Sequence, residues 1–259
     1  MAEVVQALKV TITAPTASFR YPHIMIGRLP TYESPPPATI YGLLCSALGK
    51  WFEVNGLSFA YTFTYDGLAE DLETGQMLEV KKNKKDRNLN DLPRNVEGSL
   101  NPQKRQFLFN TKCTLYLKGS IELLELLKVK LLSPTYALLM GRSQDLACCH
   151  SADYVELAFS NKAFISNTIL PWDLRQWVIP GEPVLMPESI DYSNLRQAQF
   201  GRYLQLKNKP LRIFGNGNEE DIISVEPFNY IVVDQSEVIE SFNSNLPRGI
   251  WFHDLKGLG

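Results

Sequence analysis

Leu8, Val10 and Ile12 alternate with Lys9, Thr11 and Thr13, the period of two that belongs to a half-buried strand. The pattern then changes. Ile40, Leu43, Leu44, Ala47, Leu48 and Trp51 follow at steps of three and four, so a helix presents one apolar stripe to a core. Pro35, Pro36 and Pro37 stand just before it. Proline lacks an N–H and fixes φ, which bars it from a helix interior but suits the first turn, and the helix is expected to begin beside them. Phe59, Tyr61, Phe63 and Tyr65 alternate with Ala60, Thr62 and Thr64 in a second strand. Phe107, Phe109, Cys113, Leu115 and Leu117 give a third, with a slip near Asn110 that reads as a bulge. A second helix spans Ile121 to Leu132, capped by Ser120, with Glu122 and Glu125 early and Lys128 and Lys130 late, where the macrodipole favours them. Tyr136 to Met140 reads as the fourth strand. Strand, helix, strand, strand, helix, strand is the ferredoxin-like order of an α+β protein, expected over residues 1–150.

Between the second and third strands, residues of about 67–106 carry Gly, Asn, Pro and charge with almost no period, which marks an excursion from the core. Residues 151–259 read as a smaller, mostly β part. Its strand candidates are Tyr154 to Phe159, Ile222 to Val225 and Tyr230 to Val233, with turn signals at Ile179-Pro180-Gly181-Glu182 and Gly215-Asn216-Gly217-Asn218.

The chain has 259 residues, 44% hydrophobic and 21% charged, ordinary values for a globular protein. It holds no 18-residue apolar run and no basic N-terminal segment ahead of an apolar one, so neither a membrane span nor a secretory signal is expected. Cys45, Cys113, Cys148 and Cys149 include no C-x-x-C pair, so no zinc site or disulfide framework is indicated and a reducing cytoplasm fits. No cofactor is expected.

Charge changes the picture. Residues 77–112 hold nine Lys and Arg against four Asp and Glu, a local +5 on a chain whose net charge is −2. Such a patch is an electrostatic footprint for a phosphate backbone. Lys81, Lys82, Lys84, Lys85, Arg87, Arg94, Lys104 and Arg105 supply it; the plainer alternative is a solvated loop. A second candidate is the loop with Arg20, Tyr21, His23, Arg28 and Tyr32, where guanidinium groups pair with phosphates and planar side chains stack on splayed bases. The alternative there is a rigid Pro-rich loop with Arg28 paired to a surface carboxylate. A third is Gly141-Arg142-Ser143-Gln144 after a strand end, where Gly allows close backbone approach and free amides hold a phosphate. A plain β-turn competes with that reading.

Ser18 to Gly49 resembles the start of the CRISPR-associated protein 5 family, the repeat-associated (RAMP) RNA-binding subunit of type I Cascade complexes. The family's loop and helix, of the form (G/R)xPT(Y/x)xxPPP(A/S)T leading to GLLxxxLG, are matched by Arg28 to Thr31, Pro35 to Thr39 and Gly42 to Gly49. YALLMGRSQD, Tyr136 to Asp145, is similar to the family's strand ending in Gly-Arg. The resemblance implies a ferredoxin-like (RRM-like) domain with an inserted thumb hairpin, placed at about residues 77–106. It implies a non-catalytic subunit that caps the 5′ handle of the CRISPR RNA. The implied partners are the Cascade backbone subunit, the large subunit and target DNA near the PAM, and the implied subtype is I-B. Pro247 to Phe252 offers Arg248, Trp251 and Phe252 to protein neighbours, or else closes the sheet.

The enzymatic alternative is a metal-independent endoribonuclease that processes precursor CRISPR RNA. One branch of the resembled family cleaves with a tyrosine, a lysine and a histidine. Tyr41 is present here, but Thr111-Lys112-Cys113-Thr114 stands where a Lys-His pair would, so cleavage is not expected. Nucleotide-binding, serine-hydrolase and zinc-protease motifs are absent. Cys148-Cys149-His150 reads as a buried, inert pair. A third reading is an assembly protein with no RNA contact.

Overall fold

Half-buried strands need neighbours for their backbone groups and a cover for their apolar face, and the chain supplies both. The computed structural model describes residues 4–24, 27–80, 95–214, 230–241 and 244–257. In chain order come β1 (Val4–Ala17), β2 (Phe19–Arg20), β3 (Arg28–Leu29), β4 (Thr31–Tyr32), α1 (Pro37–Leu48), β5 (Ser58–Thr64), β6 (Gly67–Val80), β7 (Asn95–Lys118) and α2 (Ile121–Leu132). There follow β8 (Leu138–Leu139), β9 (Leu146–Ser160), β10 (Lys162–Ile165), β11 (Thr168–Pro171), β12 (Glu182–Asp191) and β13 (Gln197–Leu206). The chain closes with β14 (Leu211–Phe214), β15 (Ile231–Ser241), β16 (Ser244–Ile250) and β17 (His253–Asp254).

Three of the expected segments lie side by side. β1 pairs antiparallel with β7, and β7 with β5, so Leu8, Leu117 and Phe59 share a row, as do Val10, Leu115 and Tyr61, and Ile12, Cys113 and Phe63. α1 and α2 cover that face with Ile40, Leu43, Leu44, Ala47, Leu124, Leu127 and Leu131. Pro37 opens α1 and Ser120 Oγ accepts from Leu123 N at 3.3 Å to cap α2. Gly49, at φ 76°, ends α1 with its N–H on the Cys45 carbonyl, so Trp51 falls beyond the helix and is 50% exposed instead of continuing the stripe.

The fourth strand differs from expectation. Only Leu138–Leu139 of the Tyr136–Met140 stretch is strand; β1's other neighbour is β9, giving the order β9-β1-β7-β5. A register shift between Thr11 and Ile12 sets Ser151 opposite one and Cys149 opposite the other. Ala147 and Cys149 therefore face the core before that bulge, and Ala152 and Tyr154 after it, and the alternation that would have announced the strand is broken. Position 150 lies inside this strand. Asn110 takes a left-handed φ of 51° while the pairing of β7 runs on unshifted from β5 to β6. Cys148 is exposed and Cys149 half-buried, which corrects the expectation of a buried pair; burial pushes the Cys149 thiol up to about 11.

Later strands widen the same sheet. β15 joins β9, and β16 joins β15, so Arg248 and Ile250 belong to a closing strand. β11, β13 and β12 make a separate small sheet that lies over α1. The Ile222–Val225 candidate and the Gly215–Asn218 turn fall outside the described residues. β15 also fixes an ionic cluster beneath the main sheet: Asp234 accepts from Lys9 Nζ at 2.6 Å and Tyr116 Oη at 2.8 Å. Burial pushes the Asp234 carboxyl up, but the bonds from Lys9, Ser236 and Tyr116 outweigh it and hold it at about 2. A carboxyl lowered on folding stabilises fully above its unfolded pKa and ceases to as pH falls through the folded one. About 2 kcal/mol is therefore expected to disappear between about pH 4 and pH 2. Urea unfolding of Asp234→Asn against wild type across that range checks this: the gap between the two must narrow with acid, and a constant gap refutes it.

Candidate nucleic-acid interface

The loop after β1 and the β6–β7 ribbon meet at the end of the sheet. β2 pairs with β4, and β3 lies parallel to β7 with Arg28 opposite Lys104 and Leu29 opposite Arg105. The turn between β8 and β9 closes on the same place, since Ser18 N donates to Met140 O at 3.1 Å. Arg20, Arg105, Gly141, Arg142, Ser143 and Gln144 thus come together from three distant stretches. Two open grooves flank Arg20 and Arg105, which line both. One, of about 490 Å³, has Arg142, Ser143 and Gln144 on its wall; the other, of about 620 Å³, runs along α1.

Within this wall the arginines do different jobs. Arg142 is 8% exposed and grips Asp145, itself fully buried. Its Nε reaches Oδ2 and its Nη2 reaches Oδ1, both at 3.0 Å, while its backbone N–H also donates to Oδ2. Thr16 Oγ1 donates to the same carboxylate at 2.6 Å. The remaining Nη1 of Arg142 donates to Glu73 Oε1 at 2.6 Å, and Arg105 Nη1 donates to Glu73 Oε2 at 3.1 Å. Burial alone would raise the Glu73 carboxyl, but its bonds from Arg142 and Arg105 hold it below its ordinary value. Burial works against the Arg142 charge, and its bonds to Asp145 and Glu73 outweigh that and raise its pKa. Two cations meet Asp145 and Glu73 here, with Asp71 Oδ2 a further 3.7 Å from Arg142 Nη1, so Arg142 braces the wall and contributes little field to the groove.

The open cations lie around this brace. Arg20 and Lys104 are exposed, and among the described residues neither forms an ion pair. Arg28 is exposed but paired with Glu70, the plainer of its two readings. Tyr21 is half-buried and stacks on Tyr32 with centroids 3.8 Å apart, while His23, exposed, meets its ring edge-on at 5.6 Å. Tyr32 is 1% exposed and its hydroxyl donates to Leu185 O at 2.7 Å; it anchors the loop from inside and offers no ring to a ligand. Lys81, Lys82, Lys84, Lys85, Arg87 and Arg94 lie outside the described residues. Sequence reasoning missed Glu73 and Asp145, because their partners are set by the fold: Glu73 is 69 positions from Arg142.

A family model described as CRISPR-associated protein (Cas_Cas5) matches residues 7–159, the stretch from β1 to the end of β9. No curated protein matches the chain. Among solved structures, a chain of a CRISPR RNA-guided surveillance complex aligns with a TM-score of 0.50 at 14% identity, over 83% of this chain and 95% of that one. A CRISPR protein from Archaeoglobus fulgidus aligns with a TM-score of 0.41 at 11% identity, over 78% and 87%. The first of these likenesses is one of fold.

Proposed function

The chain belongs to the CRISPR-associated protein family Cas5, and from that premise we propose that it is the non-catalytic subunit of a type I effector that grips the 5′ handle of the CRISPR RNA. The observation that carries this reading is the pair of open grooves lined by Arg20 and Arg105 at the foot of the long β6–β7 ribbon, where Arg20 and neighbouring Lys104 are exposed and form no ion pair among the described residues. We read the β–α–β–β–α–β half as ferredoxin-like and the ribbon, with its basic segment, as the thumb. Phosphate contacts from these cations give affinity and salt dependence, and unstacked handle bases give identity. The acidic remainder, including much of 151–259, faces the backbone and large subunits, with target DNA near the PAM approached through them. The work is cytoplasmic, in a system of subtype I-B.

Absence of cleavage is part of the proposal, and the placement of the relevant groups supports it. The Tyr41 hydroxyl donates to Phe52 O at 2.9 Å. His253 is half-buried with its ring on the Ile169 carbonyl, and His150 bonds Thr13 Oγ1. Each group is held in a separate part of the fold. Incubating the protein with labelled repeat RNA tests the reading. Tight, salt-sensitive binding with intact RNA is expected, and a specific cut at the 5′ edge of the handle makes the endoribonuclease reading correct instead.

A further inference from the structure

The groove of about 620 Å³ has a second wall that no motif announced. One side is Arg20 and Arg105; the other is the β12–β13 hairpin, which presents Pro187, Ile190, Tyr192 and Arg196. The hairpin is tied to the loop, since Leu185 accepts from Tyr32. Its tip is stiff: Asp191 Oδ1 accepts from Ser193 N at 2.9 Å and Asn194 N at 3.1 Å, and Asn194 Nδ2 donates to Gln197 Oε1 at 2.8 Å. Leu195 and Arg196 both take left-handed φ values, 51° and 60°, a conformation that costs a non-glycine residue of order 1 kcal/mol or more. The result is an ordered stack at the rim. The Arg196 guanidinium lies 5.4 Å from the Tyr192 ring centre, and Tyr192 lies 4.4 Å from half-exposed Trp51. Arg196 is exposed, and among the described residues it forms no ion pair.

We propose that this hairpin is the second wall of the RNA site: a single-stranded segment passes between Arg20 and Arg196, which hold its phosphates, while a base lies against Tyr192, which Trp51 braces from outside the groove. The proposal rests on the reading of the chain as an RNA-binding subunit and deepens it. The volume falls within the range of about 300–1,000 Å³ of small-ligand sites, which suits one or two unstacked nucleotides. Cations on both walls select an anionic strand, and an aromatic ring in the groove lining selects unpaired bases. The hairpin follows the family-matched span, so the site joins both parts of the chain.

Binding of the full chain to labelled single-stranded handle RNA over a series of salt concentrations tests this. Wild type is compared with Arg20→Ala, Arg196→Ala and Tyr192→Leu, and with Lys162→Ala as a charge control on a distant strand. Arg196→Ala is expected to weaken binding about tenfold and to lower the slope of log affinity against log salt by about 0.7, one phosphate contact on a single strand. Tyr192→Leu is expected to weaken binding about tenfold with an unchanged slope, and Lys162→Ala to change nothing. Thermal unfolding within about 2 °C of wild type guards against misfolding. Should Arg20→Ala weaken binding while both hairpin variants bind as wild type does, the second wall is wrong and the RNA reading stands. Should wild type bind no RNA, both fall.

Discussion

Replacing Gly141 with alanine is expected to cost the fold about 2–6 kcal/mol and to lower its unfolding temperature by on the order of 10 °C. Gly141 has φ 113°, and a Cβ built there would stand 2.0 Å from the carbonyl oxygen of Ser18. That neighbour is backbone, so relief requires moving the junction of β1 and β2. The junction cannot move freely: Ser18 N is bonded to Met140 O, and Ser18 Oγ donates to Gln106 O at 2.8 Å while accepting from Arg105 Nε at 3.2 Å. Strain at the backbone angle and overpacking each contribute about 1–3 kcal/mol. The shift also displaces Arg105, so RNA affinity is expected to fall in the fraction that remains folded. Calorimetry or circular dichroism reads the first effect, and an unfolding temperature within about 2 °C of wild type would refute it.

The same glycine shows what the chain discloses unaided. Gly141-Arg142 stood out as a tight turn after a strand, and it is one. One amide of the turn is engaged within the fold, because Asp145, three residues on, takes the Arg142 backbone N–H as well as the guanidinium. β1 and both helices were legible because burial favours one face and leaves a period; β5 is buried on both faces from Ser58 to Phe63, and its period came from rings alternating with Ala60 and Thr62. β9 was legible only in part: Tyr154 to Phe159 stood out as a strand candidate and forms its second half, while the first half was hidden because the bulge moves the inward positions from odd to even. Arg20 was legible as an exposed cation beside prolines. Tyr32, in the same loop, was not separable from it by composition; only the fold turns one outward and stacks the other beneath Tyr21. The hairpin wall carries no motif at all, since Tyr192 and Arg196 acquire meaning from Trp51 and Arg20, each more than 100 positions away.

The distinction between arginines that brace and arginines that bind leads to the other large effect, at Asp145. Asp145→Ala is expected to destabilise the protein by about 3–5 kcal/mol, because it takes from the buried Arg142 guanidinium its two-bonded partner, leaving Glu73 at 2.6 Å and Asp71 at 3.7 Å, and strips a bond from Thr16. A surface ion pair would lose less than about 1 kcal/mol, so the size of the loss itself separates the two roles. Removing both charges is a sharper test. Arg142→Met with Asp145→Asn keeps the volume roughly filled and leaves an amide oxygen for Thr16, and replacing both partners of a buried pair is far less costly than stranding one. The double variant is therefore expected to be clearly more stable than the sum of its single losses predicts, by at least about 1 kcal/mol in a double-mutant cycle. Its RNA affinity is expected to keep the wild-type salt slope, because the Arg142 guanidinium is already held by Asp145 and Glu73. Additive losses would dissolve the brace, and a shallower salt slope would return Arg142 to the RNA.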